Sequence, residues 1–178
     1  MVPVSVTIRS RRPYDLPVLA ELLGAQQSTS GYPHFWPLDF PVEDFIARPG
    51  ELGAWVAEVD GELAGHVAVT DVAVGWGAPL WSEILGRPGE GFGEVSILFV
   101  GPGHGAAGIG GALLGRAIDE IRALGRDPVL EVVGEETHAG LYYRKRGWRV
   151  IGHRRPAWLP DGAPDVAFMV LDQVLATK

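Results

Sequence analysis

The most informative absence in this chain of 178 residues is cysteine, of which it has none. Without cysteine there is no disulfide scaffold, no thiolate metal site and no cysteine nucleophile, and such a composition suits a cytoplasmic protein. No apolar run approaches the roughly 18 residues that a membrane-spanning helix needs. Within residues 1–12 the basic side chains follow a short apolar stretch, which is the reverse of a secretory signal. We therefore predict a cytoplasmic location and no membrane partner.

Positive charge is also scarce. The chain has 15 Lys and Arg against 22 Asp and Glu, which gives a formal net charge of −7. A nucleic-acid-binding protein would carry the opposite sign or a concentrated basic face, so no nucleic-acid partner is expected. No metal site is expected either, because metal-ligand spacing is absent among the five histidines, His34, His66, His104, His138 and His153.

The composition is that of one globular domain. Apolar residues make up 47% of the chain and charged residues 21%, which is far from the disordered range. The length suits a single core, and neither an internal repeat nor an interdomain linker interrupts it. We predict a single domain over residues 1–178.

Hydrophobic periodicity predicts hairpins mixed with strand–helix–strand units, which indicates an α/β fold with a mixed sheet. Asp60-Gly61 is a strong hairpin signal between two strands. The predicted strands are Val4–Arg9, Ala54–Val59, Glu62–Thr70, Glu94–Val100, Val129–Val133, Trp148–His153 and Val166–Leu171. The first predicted helix begins at Asp15 and ends either at Gly24 or in the polar run Gln26–Ser30. The other predicted helices are Val42–Ala47, Leu80–Leu85, Ile109–Leu124 and His138–Arg146.

A glycine-rich turn connects the strand ending at Val100 to the helix beginning near Ile109, in the sequence EVSILFVGPGHGAAGIGGALL. Side chains are absent or very small from Gly105 to Gly108, so backbone N–H groups can close around an anion. Those groups and the N-terminus of the following helix favour negative charge. The turn predicts a phosphate site without saying which phosphate.

Gly103–Gly108 also satisfies the dinucleotide-binding pattern G-x-G-x-x-G. That pattern normally opens its fold, whereas more than half of this chain precedes it. The acidic residue expected about 20 residues later is poorly matched, because Glu131, Glu135 and Glu136 are late or lie mid-strand. A nicotinamide-binding oxidoreductase is therefore the weaker alternative.

Four segments in order carry a second interpretation. The pattern Q/R-x-x-G-x-G/A falls on residues 105–110 and fits them at all but its first position, and the segments TIRSRRPYDLPVLAELL, WVAEVDGELAGHVAV and LYYRKRGWRVIG flank them. With these segments the chain resembles the GNAT N-acetyltransferase superfamily over nearly its whole length. The resemblance implies a mixed, mostly antiparallel sheet of about seven strands flanked by helices. It also implies transfer of an acetyl group from acetyl-CoA to a primary amine by direct attack.

One position departs from the family pattern. Gly105 stands where the family has Gln or Arg, so the turn lacks a side-chain charge. This departure motivates another alternative, a catalytically silent module that binds or senses acyl-CoA.

The resemblance implies the cofactor contacts. Main-chain groups of the strand would pair with the pantetheine arm, N–H groups of the turn would hold the pyrophosphate, and Glu136 stands where the family often has an Asn that contacts the cofactor. The implied cofactor residues are Leu98, Phe99, Val100, Gly105, Ala106, Ala107, Gly108, Ile109, Gly110, Gly111 and Glu136.

Two catalytic residues are candidates. Tyr143 lies four residues before Gly147, as does the family tyrosine that protonates the CoA sulfur, although a tyrosine packed in the core is the other interpretation and Tyr142 is adjacent. Glu94 lies eleven residues before the signature, where some members keep a general base. The alternative for Glu94 is a carboxylate at the rim with no role.

The acceptor is expected to be an amine of a small molecule or a peptide. Aromatic residues in Tyr32–Trp36, Trp76–Trp81 and Trp158–Asp165 could form an apolar or cation-binding cup around it, or could simply pack over the sheet edges. The connection between Thr70 and Glu94 is longer than usual in the family. We interpret it as shaping either acceptor choice or the contact of a homodimer.

Overall fold

The computed structural model describes residues 4–105 and 107–171. These residues form a seven-stranded sheet. Its strands are β1 (Val6–Ser10), β2 (Glu51–Val59), β3 (Glu62–Asp71), β4 (Phe92–Val100), β5 (Asp127–Val133), β6 (Trp148–Arg154) and β7 (Val166–Leu171). The spatial order is β1-β2-β3-β4-β5-β7-β6, and neighbours are antiparallel except for the parallel pair β4–β5. The predicted mixed, mostly antiparallel sheet is confirmed.

Helices cover both faces of the sheet. They are α1 (Leu16–Ser30), α2 (Val42–Ile46), α3 (Ala78–Leu85), α4 (Ile109–Ala123) and α5 (His138–Arg144). In the part of the chain that the structure describes, no helix has both the length and the apolar content to cross a membrane.

The hairpin of β2 and β3 follows directly from its turn residues. Asp60 and Gly61 have φ angles of 50° and 86°. Positive φ at both central residues produces the twist that matches two antiparallel strands. Val59 pairs with Glu62 across this turn, so the predicted hairpin is confirmed.

Helix α1 passes through Gly24 and ends at Ser30, the later of the two predicted ends. Gly24 lies inside the helix because the Trp36 ring packs against it, and a Cβ there would be 3.2 Å from the ring. Gly31 ends the helix in the left-handed conformation, with φ of 71°. A glycine inside a helix can thus allow close packing and does not always mark the end of the helix.

The sheet separates one large hydrophobic cluster from two smaller ones. Helix α4 covers one face, where the largest cluster includes Leu113 and Ile121. On the other face, α1 and α2 bury one cluster around Leu23, and α3 buries another around Trp81. Alternation along β5 separates the faces, since Leu130 belongs to the α4 cluster and its neighbour Val129 to the α3 cluster.

A β-bulge changes the course of β4. Val95 faces α4, yet Ile97, two residues later, packs on the opposite face. Ile97 has a φ of 47°, and the register between β3 and β4 shifts at this point. The parallel pairing of β4 with β5 covers only Phe92–Glu94 against Asp127–Val129. Beyond Glu94 the two strands separate, which leaves a gap in the middle of the sheet.

We expect Gly65→Ala to destabilise the protein by about 1–3 kcal/mol, because α4 packs closely against β3. A Cβ on Gly65 would lie 2.9 Å from the Phe99 carbonyl oxygen and 3.0 Å from Leu113. The matched control is Gly115→Ala in α4, where a Cβ would meet no atom within 4 Å. That control should gain up to about 1 kcal/mol through helix propensity. Urea unfolding of both variants measures the difference, and equal stabilities would contradict the close packing.

Candidate active site

The glycine-rich turn leads from the end of β4 into α4. Gly103 and Gly108 have φ angles of 81° and 71°, which glycine adopts without strain. Helix α4 begins immediately afterwards at Ile109, and the first N–H groups of a helix have no carbonyl partner within it. Gly105 is open to solvent, and a Cβ added there would meet no atom within 4 Å. An open turn of small residues at a helix N-terminus fits a pyrophosphate group.

The end of β4 pairs with a neighbouring strand on one side only. Phe99 and Val100 pair with His66 and Gly65 of β3, whereas the pairing of β4 with β5 ends at Glu94 in the described part of the chain. Backbone groups along this edge can therefore accept an extended ligand as an added strand would. This geometry is compatible with the predicted pantetheine contacts of Leu98, Phe99 and Val100.

The two adjacent tyrosines of α5 have different surroundings. The Tyr142 ring packs beneath the Arg146 guanidinium at 3.5 Å, and its hydroxyl is close to Gly110 of α4. The Tyr143 ring contacts Trp148, with centroids 6.0 Å apart, and its hydroxyl is near enough to Tyr32 for the two phenols to influence each other. Burial raises the pKa of Tyr143 well above its ordinary value, so this phenol keeps its proton.

Glu94 lies where the pairing of β4 with β5 ends, opposite Thr70 of β3. Because Val95 faces α4, the alternation of the strand directs Glu94 to the opposite face, towards Tyr32 and Arg48. Burial raises the pKa of Glu94, while the Arg48 charge and a hydrogen bond from Thr70 partly oppose this shift. A carboxyl held in this way can accept a proton near neutral pH.

Glu131 of β5 is the second carboxylate on that face. Its side chain accepts a hydrogen bond of 3.1 Å from Trp81 Nε1. It also packs under Gly77, where a Cβ would be 2.1 Å from Glu131 Oε1. Burial raises the pKa of Glu131, and the nearby Glu94 charge raises it further.

The two carboxyls lie between the hydrophobic clusters of α1–α2 and α3. Both remain partly accessible to solvent, yet each has its pKa raised by burial. The Glu94 charge disfavours ionisation of Glu131, so the two acids do not both ionise readily. The pair can hold a proton in one state and release it in another, as acid–base chemistry requires.

Aromatic rings line this face of the sheet on the α3 side. Trp76 contacts Trp158 and Phe168, with ring centroids 5.9 Å and 5.6 Å apart, and Trp81 contacts Phe168 at 4.9 Å. Trp76 and Trp158 are 45% and 44% exposed, so a ligand could reach them. Two of the three predicted aromatic segments thus meet beside Glu131.

The profile of the Acetyltransferase (GNAT) family matches residues 19–148. The chain belongs to this family. It is 34% identical over 113 residues to a mycothiol acetyltransferase from Beutenbergia cavernae, a match that covers 60% of this chain and only 33% of that protein.

Solved structures of family members share the fold. A putative acetyltransferase from Salmonella typhimurium, solved with its cofactor acetyl-CoA, has a TM-score of 0.67 and 20% identity, with 98% of each chain covered. The ribosomal-protein-S18-alanine N-acetyltransferase of Escherichia coli has a TM-score of 0.64 and 17% identity over 98% of this chain and 99% of that one. The GNAT fold predicted from sequence is therefore confirmed.

For two of the predicted cofactor residues, Glu136 and Ala106, the structure adds no support for a contact with the cofactor. Glu136 is 72% exposed before α5 and forms an ion pair with Arg144. Its contact with the cofactor stays a prediction. Ala106 lies outside the described residues. In residues 4–105 and 107–171, no group of three or more His, Asp or Glu side chains is arranged to hold a metal ion.

From the sequence, Glu131 was a candidate only for the ribose ligand of a dinucleotide. Its position near Glu94 was not predicted. The available signal was a charged residue, Glu131, in the middle of the apolar run Val129–Val133. A carboxylate at such a position must find a partner or shift its pKa. Which residue it would meet was not predictable, because Glu94 comes from a different strand of this GNAT sheet.

We expect Glu131→Gln to remove part of the pH dependence of stability. A carboxyl whose pKa is raised by folding stabilises the protein at low pH, and that contribution is lost as pH rises through the folded pKa. Between pH 5 and pH 8, the variant should therefore gain stability relative to wild type, on the order of 1 to 2 kcal/mol after allowing for solvent contact.

Urea unfolding across this pH range measures the effect. Glu21→Gln, on the exposed side of α1, makes the same chemical change as a control and should run parallel to wild type. A Glu131→Gln curve that also runs parallel to wild type would contradict the coupled pair.

Proposed function

We propose that the protein transfers the acetyl group of acetyl-CoA to a primary amine by direct attack within a ternary complex. The observation that carries this proposal is the gap between β4 and β5. It has the glycine-rich turn at one end, Tyr143 on the α4 side and the carboxyl pair on the other side. A thioester in the gap could meet an amine from the opposite face of the sheet.

The residues around the gap supply the two proton transfers that the reaction needs. An amine must lose a proton as its nitrogen bonds to the carbonyl carbon, and the carbon–sulfur bond breaks to leave a thiolate. We assign the first proton to the pair of Glu94 and Glu131, since burial raises both of their pKa values. We assign donation to the thiolate to Tyr143, because burial keeps its phenol protonated.

The backbone of the turn would hold the cofactor. The N–H groups of Gly105 and Gly108–Gly111 would provide donors for the pyrophosphate without a side-chain charge, and the Ala107 N–H could join them by giving up its 3.2 Å bond to the His104 carbonyl. When bound, acetyl-CoA supplies the activated acyl group. The protein residues bind it, orient it and move the protons.

We propose that the acceptor is a primary amine that enters between the α1–α2 side and the α3 side. Trp76 and Trp158 would contact its apolar part, and the carboxyl pair would face its nitrogen. The named relatives include enzymes for mycothiol and for a ribosomal protein, so both small-molecule and peptide amines belong in the assay. Cytoplasmic location and a homodimer stay predictions.

The rival functions differ in what they bind. A nicotinamide enzyme would need a doubly wound parallel sheet around its G-x-G-x-x-G turn. In this sheet only β4 and β5 are parallel among the described strands, which argues against that alternative. A silent acyl-CoA-binding module stays open as the second candidate, because Gly105 removes the family's side-chain charge.

Calorimetric titration with acetyl-CoA, CoA and NAD tests the cofactor directly. We expect binding of both CoA species and none of NAD. We also expect Gly105→Arg to bind CoA several-fold tighter, because a new charge beside the pyrophosphate finds open space. Failure of wild type to bind either CoA species would overturn the proposed function. Binding without CoA release across an amine panel would favour the silent module.

Tyr143→Phe tests the acid. We expect turnover to fall roughly 100-fold, because a positioned acid contributes about that much, while the affinity for acetyl-CoA changes little. Tyr142→Phe is the matched control on the same helix and should retain turnover within about threefold, because its buried hydroxyl makes no hydrogen bond among the described residues. Steady-state release of CoA measures both variants. Turnover by Tyr143→Phe equal to wild type would remove the assigned role.

A further inference from the structure

A buried histidine lies behind the bulge of β4. His66 of β3 is fully buried, with 0% exposure, and its ring stacks on Phe99 at 5.6 Å. Its Nδ1 lies 2.8 Å from the carbonyl oxygen of Ile97, and its Nε2 lies 3.1 Å from Arg11 Nη1. The mechanism proposed above gives no role to His66, Arg11 or the Ile97 carbonyl.

The two partners determine the protonation state of His66. A carbonyl oxygen only accepts hydrogen bonds, so Nδ1 must carry a hydrogen. A guanidinium only donates, so Nε2 must be without one. The ring is therefore the neutral Nδ1–H tautomer. Burial lowers the pKa of His66 to about 4, and the Arg11 charge also lowers it.

Arg11 is itself held firmly. Its Nη1 and Nη2 donate to the two carboxylate oxygens of Glu51 at 2.9 Å and 2.7 Å. This bidentate pair orients the guanidinium and restricts where Nη1 can meet the histidine. The network thus runs from the first strands of the sheet to the bulge through Glu51, Arg11, His66 and Ile97.

The bulge peptide needs such support. Ile97 has a φ of 47°, a conformation that a β-branched residue seldom adopts without compensation. In a trans peptide group the carbonyl of one residue and the N–H of the next point in opposite directions. A hydrogen bond that holds the Ile97 carbonyl towards His66 therefore turns the Leu98 N–H away from it. Leu98 packs against the α4 cluster, on the opposite face from Ile97.

We propose that His66 is a positioning residue, which holds the Ile97 carbonyl so that the Leu98 N–H is presented to the acyl carbonyl of bound acetyl-CoA. The inference rests on the proposed function, because it assumes a thioester in the gap between β4 and β5. An N–H held in advance at this position stabilises the charge that develops on the carbonyl oxygen during attack.

Two isosteric substitutions separate the positioning role from simple packing. His66→Asn places an amide N–H near the position of Nδ1, so it can keep the bond to Ile97. His66→Gln places its polar group near the position of Nε2, so it can keep the contact with Arg11 but not the bond to Ile97. We expect His66→Asn to retain kcat within about threefold and His66→Gln to lose roughly tenfold, which is the worth of one such hydrogen bond.

The affinity for CoA should change little in both variants, since CoA has no acyl carbonyl to meet the Leu98 N–H and its pantetheine arm would keep the main-chain contacts of Phe99 and Val100. Val56→Ala is the packing control, because Val56 is fully buried directly opposite His66 on β2. It should lower the melting temperature without lowering kcat at a temperature where the protein is folded. Equal kcat values for His66→Asn and His66→Gln would overturn the inference, whereas a wild-type protein that releases no CoA would count against the proposed function instead.

Wild-type protein allows a test that needs no variant. Long-range ¹H–¹⁵N spectra of the histidine rings report which ring nitrogen carries the hydrogen. We expect the Nδ1–H tautomer for His66 and no protonation of its ring down to about pH 5, because its pKa is about 4. An Nε2–H tautomer would overturn the inference even if the protein proved inactive, because Nδ1 could then not donate to the Ile97 carbonyl.

Discussion

The separation of β4 from β5 is the feature on which the proposed site depends. Parallel pairing covers only Phe92–Glu94 against Asp127–Val129, and the bulge at Ile97 then turns β4 to a new register. Without that separation, the β4 backbone would bond to β5, and an extended ligand could not pair with it. The same gap lets groups on one face of the sheet act on a ligand held from the other.

The chemistry also depends on how the hydrophobic clusters are divided. One large cluster lies beneath α4, whereas the opposite face carries separate clusters under α1–α2 and under α3. Glu94 and Glu131 lie between those two, where partial burial raises their pKa values. A continuous core on that face would leave no room for carboxyls, and a fully open face would leave their pKa values at ordinary levels. An incomplete core therefore leaves both carboxyls partly accessible while their pKa values are raised.

Local signals predicted most of the fold. The Asp60-Gly61 turn, the alternating strands and the helix after the glycine-rich turn depend on conformational preferences of a few neighbouring residues, so their predictions are confirmed. Glycine was less informative, because Gly24 lies inside α1 beneath Trp36 rather than at its end. Close packing between residues that are far apart in the sequence cannot be predicted from adjacent residues alone.

The sequence by itself determined the run of small residues that makes the turn suitable for a phosphate, the strand containing Glu94 and the helix containing Tyr143, since each is encoded by adjacent residues. Only the tertiary structure decided that Glu131 lies near Glu94, that Tyr142 and Tyr143 have different surroundings, and that His66 contacts the Ile97 carbonyl. These relations join β4 to β5, Tyr143 to Tyr32, and β3 to the Ile97 carbonyl. Register and a bulge set such contacts, and a shift of one residue in a strand moves every side chain to the other face.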